Sequence, residues 1–411
     1  MEWIWTIGNY IAFHITILDL IWFHAMQLIL LPIRYVNKTL YIQIESKIVS
    51  LAVTWNRVWG YIWTRGHLDV KTYGNEKKIK ELIKSMKECE AKGKPKNVLI
   101  ISNHTSTMDW IAMYSLFDKL GAAGHIRFMM KKAHQGVPII GWGATLREMI
   151  FLEKNLEKDK QIIEESLSKF RKQQKLPYWV LMYPEGTYVT PQTTELLEKS
   201  QAYAKEKKLH ERTLTYVLSP RTKAMELCLE TNQFDYVLDV TMTYTGASWT
   251  PKVGQANPPS MINMYRYRPK EPLDIHCHLE VFDPIQDCFA TNKKKLQEWI
   301  YKRYTQKDAL LACFDKNGAF PNSLNNPQHG LFHVSNSMLS TSDWVVFLMI
   351  LVSWIAFFYY GFLVTTSKLL FMSTACLTLG HLALTTFMLY YDYIHNNHVL
   401  VVSKKTTKKD L

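Results

Sequence analysis

Three places in the chain carry a histidine five residues before an aspartate, a spacing that could serve acid–base chemistry. The three pairs are His14/Asp19, His104/Asp109 and His278/Asp283. An imidazole within hydrogen-bond reach of a hydroxyl can remove its proton during nucleophilic attack, a contribution of about 10²–10⁴-fold to the rate. A carboxylate behind the ring would hold its tautomer and stabilise the imidazolium. Because so short a spacing also arises by chance, the surrounding elements must decide which pair can act.

The local sequence weakens two of these pairs. His14 and Asp19 belong to a continuous apolar helix, in which positions five apart point about 140° away from each other around the axis. His278 lies in an alternating, strand-like run that ends at Pro284, and no helix start follows it. Neither setting brings the two side chains together.

The pair His104/Asp109 has a different setting. It follows a predicted buried strand at residues 97–102, and the polar residues 103–107 are typical of a helix start. With His104 in the turn and Asp109 in the first helical turn, the carboxylate can fold back to the ring, and backbone N–H groups there could steady an oxyanion. The alternative is a capping histidine with an aspartate that complements the helix dipole. We predict His104 as general base and Asp109 as its orienting partner.

A second feature is the sequence Tyr-Pro-Glu-Gly-Thr at residues 183–187, directly after a predicted strand. Pro-Glu-Gly favours a turn, which would display Glu185 at a strand end. The alternative is an ordinary turn without a chemical role.

The elements that must position these residues alternate between strand and helix, which predicts an α/β fold with a mixed, mostly parallel sheet. The predicted strands are residues 97–102, 126–131, 148–152, 177–183 and 235–244, and the predicted helices are residues 107–120, 156–174, 196–208, 220–231 and about 291–312. We expect helix through residues 34–94, a Pro/Gly loop at 135–143, and less regular structure over 245–340.

Composition narrows the partners of the chain. The net charge is +13, with 13 Trp and 22 Tyr among 411 residues. No basic stripe accompanies a nucleic-acid motif, so we expect anionic lipid headgroups or a phosphate-rich small molecule rather than nucleic acid. The six Cys form no metal-binding or disulfide pattern, which indicates a reducing, cytosol-facing domain without a metal.

Long apolar runs predict a membrane protein. Residues 1–33 would span the bilayer or lie in its interface, and residues 344–394 contain two runs of about 23–26 residues that would form a transmembrane hairpin. Trp55, Trp59 and Trp63 recur every four residues and so lie on one face of a predicted helix. That face would either pack in the core or contact the membrane interface. The predicted domains are residues 1–33 (membrane segment), 34–94 (helical membrane-proximal region), 95–340 (catalytic domain), 344–394 (hairpin) and 395–411 (basic tail).

Basic residues favour a cytosolic tail and catalytic domain under the positive-inside rule. The last four residues, Lys-Lys-Asp-Leu, resemble the dilysine retrieval signal of endoplasmic-reticulum membrane proteins. We therefore expect a multi-pass protein of that membrane. Asn37 and Asn103 both lie in glycosylation acceptor sequences, and neither should carry a glycan.

Four sequence blocks, in order, resemble those of the glycerophospholipid acyltransferase family. The blocks are residues 103–110 (Asn-His-x4-Asp-Trp), residues 131–154 (Lys through Gly-Val-Pro and Gly-Trp to Phe-Leu-Glu-Lys), residues 183–222 (Tyr-Pro-Glu-Gly-Thr, later Ser-Pro-Arg-Thr) and residues 239–244 (Asp-Val-Thr-x2-Tyr). Together they look most like the lysocardiolipin acyltransferase branch, with the lysophosphatidic acid acyltransferases close behind.

The resemblance implies that His104 is the base, Asp109 its partner, and the later blocks the substrate-binding residues. Those residues are Lys131, Gly141, Lys154, Glu185, Gly186, Thr187 and Arg221. The chain departs from the branch at Thr105 and Thr107, where arginine is usual, at Lys154, where arginine is also usual, and at His134, which we expect to be a surface substitution for leucine. Lysine keeps the charge but lacks the bidentate fork of arginine, so headgroup binding could differ.

The expected activity is acyl-CoA-dependent transfer of a fatty acyl group to the free glycerol hydroxyl of a lysophospholipid, which could be lysophosphatidic acid, lysocardiolipin or lysophosphatidylinositol. Acyl-CoA would be a co-substrate, with no cofactor. The alternative is a catalytically silent lipid-binding membrane protein that keeps the fold. The sequence leaves the acceptor, the acyl chain and the oligomeric state open.

Overall fold

The computed structural model describes most of the chain up to residue 332. The described residues are 2–63, 70–172, 176–231, 233–246, 250–255, 259, 273–287, 292–323, 326–329, 331–332, 348 and 352.

An eight-stranded sheet forms the centre of the described structure, in the order β10-β1-β7-β6-β2-β5-β3-β4, and β8 and β9 form a separate pair. The strands are β1 (Val70–Gly74), β2 (Val98–Ser102), β3 (Ile126–Lys131), β4 (Ile150–Leu152), β5 (Trp179–Met182), β6 (Tyr236–Thr245), β7 (Asp274–Phe282), β8 (Pro321–Ser323), β9 (Asn326–His329) and β10 (Leu331–Phe332). Within the large sheet only the pairs β6–β7 and β1–β10 run antiparallel. The predicted α/β fold with a mixed, mostly parallel sheet is confirmed.

Helices precede, connect and flank these strands. They are α1 (Glu2–Ile29), α2 (Leu31–Val36), α3 (Lys38–Trp63), α4 (Glu76–Ala91), α5 (Asp109–Lys119), α6 (Ile140–Leu146), α7 (Leu156–Lys172), α8 (Glu195–Glu206), α9 (Lys223–Glu230) and α10 (Lys293–Asn317). Asn75 and Asn292 cap α4 and α10, because each side chain accepts a backbone N–H of the first turn.

The central strand β2 is buried along its whole length. Val98 and Ile100 belong to one apolar cluster, with α4 and α5, whereas Leu99 and Ile101 belong to the other, with α7, α9 and α10. This alternation follows from the two-residue period of a strand. Because both faces are covered, the strand reads in sequence as an unbroken apolar run, and its carboxyl end is held firmly for the loop that follows.

Two predicted segments are wrong in part. Residues 70–74 form a strand rather than helix, because they pair with β7, which lies about 200 residues later. The predicted loop at residues 135–143 is a loop only at 137–139, because a 3-10 turn at Lys132–Gly136 precedes it and α6 begins at Ile140. A Cβ on Gly141 would lie 2.3 Å from the His134 carbonyl oxygen. This glycine therefore lets α6 pack closely against the 3-10 turn, whereas in the sequence it reads as a loop residue. The strand-like run around His278 is confirmed as β7.

The N-terminal helices pack against the sheet domain. Trp55 is 6% exposed and donates to Asp19 at 2.8 Å, so its core-packing interpretation is confirmed; the side chains of Trp59 and Trp63 lie outside the described residues. Among the described residues, no helix has both the length and the apolar character of a bilayer span. The hairpin predicted at residues 344–394 and the tail at 395–411 lie outside that part, apart from residues 348 and 352.

Candidate active site

The loop after β2 is joined to the neighbouring strand β6 by the side chain of Asn103. Its Nδ2 donates to the Met242 carbonyl oxygen at 2.9 Å, and its Oδ1 accepts the Met242 N–H at 2.8 Å. Asn103 is 1% exposed. The amide therefore extends the strand pairing by one step beyond the point where the backbone turns away, and this fixes the position of the next residue, His104.

His104 and Asp109 meet as predicted. The ring Nδ1 lies 2.7 Å from Asp109 Oδ2, because His104 is in the turn and Asp109 is the first residue of α5. A carboxylate only accepts, so Nδ1 carries the hydrogen and donates it. Nε2 is then the ring nitrogen that can take a proton from a substrate.

Four further donors converge on the Asp109 carboxylate, which is fully buried. Oδ2 accepts the Thr105 N–H at 2.7 Å and the Ser106 N–H at 3.1 Å. Oδ1 accepts the Thr105 hydroxyl at 2.9 Å and the Tyr244 hydroxyl at 2.8 Å. Thr105, a departure from the usual arginine, thus holds the carboxylate in two ways.

The same contacts exclude four backbone N–H groups from the oxyanion site that we expected at the helix start. The N–H groups of Thr105 and Ser106 donate to Asp109, and that of Met108 donates to the Ser106 hydroxyl at 2.9 Å. The His104 N–H donates to Glu185. These four groups satisfy the carboxylates and hydroxyl of the loop itself, so they do not face an incoming acyl group.

Two aromatic rings hold the imidazole. The His104 ring stacks on Tyr183, with centroids 4.3 Å apart and planes inclined by 17°, and meets Tyr188 edge-on at 5.1 Å. The His104 side chain remains 20% exposed. The ring is thus fixed in orientation while keeping access from outside, as a base for an external substrate requires.

Glu185, predicted to bind substrate, joins two segments of backbone. Its Oε1 accepts the His104 N–H at 3.0 Å and its Oε2 accepts the Leu218 N–H at 3.1 Å. Burial raises the pKa of this carboxyl to about 8, against the lowering effect of the two N–H donors. With both oxygens occupied, Glu185 positions the His104 loop; direct contact with substrate stays a prediction.

Two of the predicted cations, Lys154 and Arg221, act on a third, Lys131. Burial lowers the pKa of Lys131, and the nearby charges of Lys154 and Arg221 lower it further. Arg221 is held against the 183–187 turn because its backbone N–H donates to the Pro184 carbonyl oxygen at 2.8 Å. Gly186 has a φ of +70°, and a Cβ there would lie 3.6 Å from the Arg221 guanidinium. The turn therefore favours glycine beside that cation.

The remaining predicted residues have structural contacts. Thr187 donates its hydroxyl to the Tyr188 carbonyl oxygen at 3.3 Å, and Gly141 is packed against the 3-10 turn. His134 is partly buried, with Nδ1 3.2 Å from the Lys131 carbonyl oxygen, so the surface substitution that we expected is wrong. In the described part of the chain, no three His, Cys, Asp or Glu side chains converge as metal ligands would.

Of the other two His/Asp spacings, His278/Asp283 does not form such a pair. Asp283 accepts the N–H groups of Ile285 at 2.9 Å and Gln286 at 2.8 Å, whereas His278 lies 3.7 Å from Glu280. Asp19 bonds to Trp55, and the side chain of His14 lies outside the described residues.

Two stretches of the chain match known protein families. Residues 70–245 match the family described as Acyltransferase, and residues 269–350 match the Acyltransferase C-terminus. A probable 1-acyl-sn-glycerol-3-phosphate acyltransferase 5 of Arabidopsis thaliana is 31% identical over 228 residues, which are 55% of each chain.

Two vertebrate relatives extend this likeness. The 1-acyl-sn-glycerol-3-phosphate acyltransferase epsilon of Mus musculus is 28% identical over 53% of this chain and 58% of its own length. Lysocardiolipin acyltransferase 1 of Gallus gallus is 28% identical over 54% of this chain and 56% of its own length. The chain thus spans little more than half the length of these three relatives. Its residues 70–245 form a domain of the Acyltransferase family, and these relatives point to the glycerophospholipid acyltransferases within that family.

Proposed function

We propose that this chain transfers a fatty acyl group from acyl-CoA to the free glycerol hydroxyl of a lysophospholipid. The observation that carries the proposal is the 2.7 Å bond between His104 and Asp109 at the carboxyl end of a buried parallel strand. In this reaction Nε2 of His104 takes the hydroxyl proton as the oxygen attacks the thioester carbonyl. Asp109 stabilises the imidazolium that forms, and the proton then passes to the departing thiolate of CoA.

The cations beside the dyad support a phosphate-bearing substrate. The charges of Lys154 and Arg221 are close enough to Lys131 to lower its pKa, and a bound phosphate would relieve this repulsion. Names of the relatives point to two acceptors that carry phosphate, 1-acyl-sn-glycerol-3-phosphate and lysocardiolipin. We propose lysophosphatidic acid, lysocardiolipin or lysophosphatidylinositol as the acceptor class.

We further propose that the protein works at the endoplasmic-reticulum membrane, with the catalytic domain facing the cytosol. The apolar run at 344–394, the basic residues of the tail and its Lys-Lys-Asp-Leu ending support this location.

The chain offers a matched test of the dyad, because Asp109 and Asp283 occupy the same sequence spacing after a histidine. Membranes containing each variant would be assayed with radiolabelled acyl-CoA and a panel of lysolipids. We expect His104→Ala and Asp109→Asn to reduce transfer by about 10²–10⁴-fold, with membrane levels unchanged. Asp283→Asn should transfer at the wild-type rate, because Asp283 only closes a turn.

Activity retained by His104→Ala would overturn the mechanism. Absence of transfer by the wild-type protein with every lysolipid would instead favour the silent lipid-binding alternative.

A further inference from the structure

We infer that Tyr244 is a third member of the site, a positioning residue that holds Asp109 and thereby adjusts how readily His104 accepts a proton. The inference rests on the proposed role of His104. The sequence block at residues 239–244 contains Tyr244 but does not indicate a contact with Asp109. Tyr244 lies near the end of β6, and its hydroxyl donates to Asp109 Oδ1 at 2.8 Å.

The environment makes Tyr244 an obligate donor. The side chain is fully buried, and burial together with the negative charge of Asp109 holds the pKa of the phenol well above its usual value. The hydroxyl therefore keeps its proton, and a carboxylate can only accept. The bond has one direction, from Tyr244 to Asp109.

The bond also joins two strands that the sheet places side by side. β2 and β6 are parallel neighbours, with Ser102 opposite Val240. Four residues beyond that point, the Tyr244 side chain reaches the first residue of α5. Asn103 makes the other connection between the loop and β6. Together the two side chains fix both ends of the loop that contains His104.

Each oxygen of Asp109 has a separate task in this arrangement. Oδ2 faces His104 and two backbone N–H groups, whereas Oδ1 is occupied by the hydroxyls of Thr105 and Tyr244. Donors to Oδ1 withdraw negative charge from the carboxylate, which weakens its attraction for the imidazolium. Removing one of them should make His104 hold its proton more tightly.

Other titratable groups around the dyad stay in place in such a variant. They are Tyr183 and Tyr188 against the imidazole, Glu185 on the His104 N–H, Cys277 on β7, and His134, whose pKa the charge of His104 helps to lower. Tyr183 and Cys277 each have a pKa raised by burial and by Asp109, so both remain uncharged at neutral pH. A change in the behaviour of His104 can then be assigned to the missing hydroxyl.

The test measures the His104 ring itself. Diethyl pyrocarbonate reacts with neutral but not with protonated imidazole, so the modification rate of His104, followed by peptide mass spectrometry across pH, reports the protonation of its ring. In Tyr244→Phe we expect the pH midpoint of modification to rise by about half a unit. We also expect kcat for acyl transfer to fall by about tenfold, at unchanged KM for lysolipid.

Two further variants make the result decisive. Thr105→Val removes the other hydroxyl from the same oxygen and should raise the midpoint in the same direction. Tyr73→Phe removes a buried tyrosine hydroxyl that bonds His276 at 2.9 Å elsewhere in the sheet, and should lower thermal stability without moving the midpoint.

An unchanged midpoint in both Tyr244→Phe and Thr105→Val would overturn the inference. The modification experiment needs no turnover, so a protein without acyl transfer would count against the proposed function alone.

Discussion

Two buried carboxylates at the site, Asp109 and Glu185, are satisfied to different degrees. Asp109 accepts five hydrogen bonds, including one from the His104 ring, whereas Glu185 accepts two, both from backbone N–H groups. For Glu185 burial outweighs its donors and raises the pKa to about 8 from the ordinary 4.5. Its protonation therefore links the stability of the fold to pH.

The direction of this linkage follows from the two pKa values. Between pH 4.5 and 8 the folded protein retains a proton on Glu185 that the unfolded chain has released. The stabilisation from this proton is complete below pH 4.5 and is lost as pH rises through 8. We expect the unfolding midpoint of wild-type protein in detergent to fall across this window more steeply than that of Glu185→Gln.

The slope, rather than the absolute stability, is the test. The glutamine amide keeps one acceptor for the two N–H groups, so the variant should be less stable at low pH. Glu153→Gln, which changes an exposed carboxylate, should reproduce the wild-type slope. Parallel curves for wild-type protein and Glu185→Gln would show that Glu185 does not change its protonation in this range.

At the scale of elements, α3 and α6 are joined by a buried ion pair. Arg147 Nη1 lies 3.0 Å from Glu45 Oε1, with side chains 3% and 1% exposed. Gln27 of α1 donates to the same Glu45 oxygen at 3.0 Å and to the Gly143 carbonyl oxygen at 3.3 Å. These contacts attach the N-terminal helices to the segment that follows Lys131.

Removing one partner should be costly because it leaves the other charge buried. We expect Glu45→Ala to lower the free energy of unfolding by about 3–5 kcal/mol. The exposed pair of Lys84 and Glu88, 3.9 Å apart on α4, is the control: Glu88→Ala should cost less than about 1 kcal/mol. Chemical denaturation measures both, and equal losses would mean that solvent reaches Arg147.

The dyad was predictable from sequence because its two residues are five positions apart and frame a recognisable helix start. The block at residues 239–244 contains Tyr244 and Met242, but their contacts with the loop were not predictable, since these lie 135 and 139 residues apart in the sequence. The 183–187 turn predicted where Glu185 lies, but its bond to Leu218 depends on a second loop. Val70–Gly74 is too short to show the two-residue period of a strand, and it forms a strand only because it pairs with the distant β7.

At the scale of the whole molecule, the two glycosylation acceptor sequences differ in what they can report. Asn103 is buried and bonded to Met242 through both amide atoms, so the folded site excludes a glycan whichever side of the membrane it faces. Asn37 is exposed, but it lies close to the predicted membrane segment. A third position is needed to test the cytosolic orientation.

Glu157→Thr creates such a position, because it converts residues 155–157 into Asn-Leu-Thr at the exposed start of α7. If the catalytic domain faces the cytosol, neither Asn37 nor Asn155 will carry a glycan, and glycosidase treatment will leave the mass of the variant unchanged. A glycosidase-sensitive increase mapped to Asn155 would place the domain on the lumenal side.

The pairing of β2 with β6 also has a consequence for the order in which the protein folds. The loop after β2 is held by Met242 and Tyr244, and β1 meets β7 across 203 residues. Contacts of such long range form slowly and only after both partners have left the ribosome. A nascent chain that ends before β6 would contain His104 and Asp109 but lack their fixed geometry, so the proposed catalytic pair is assembled late in synthesis.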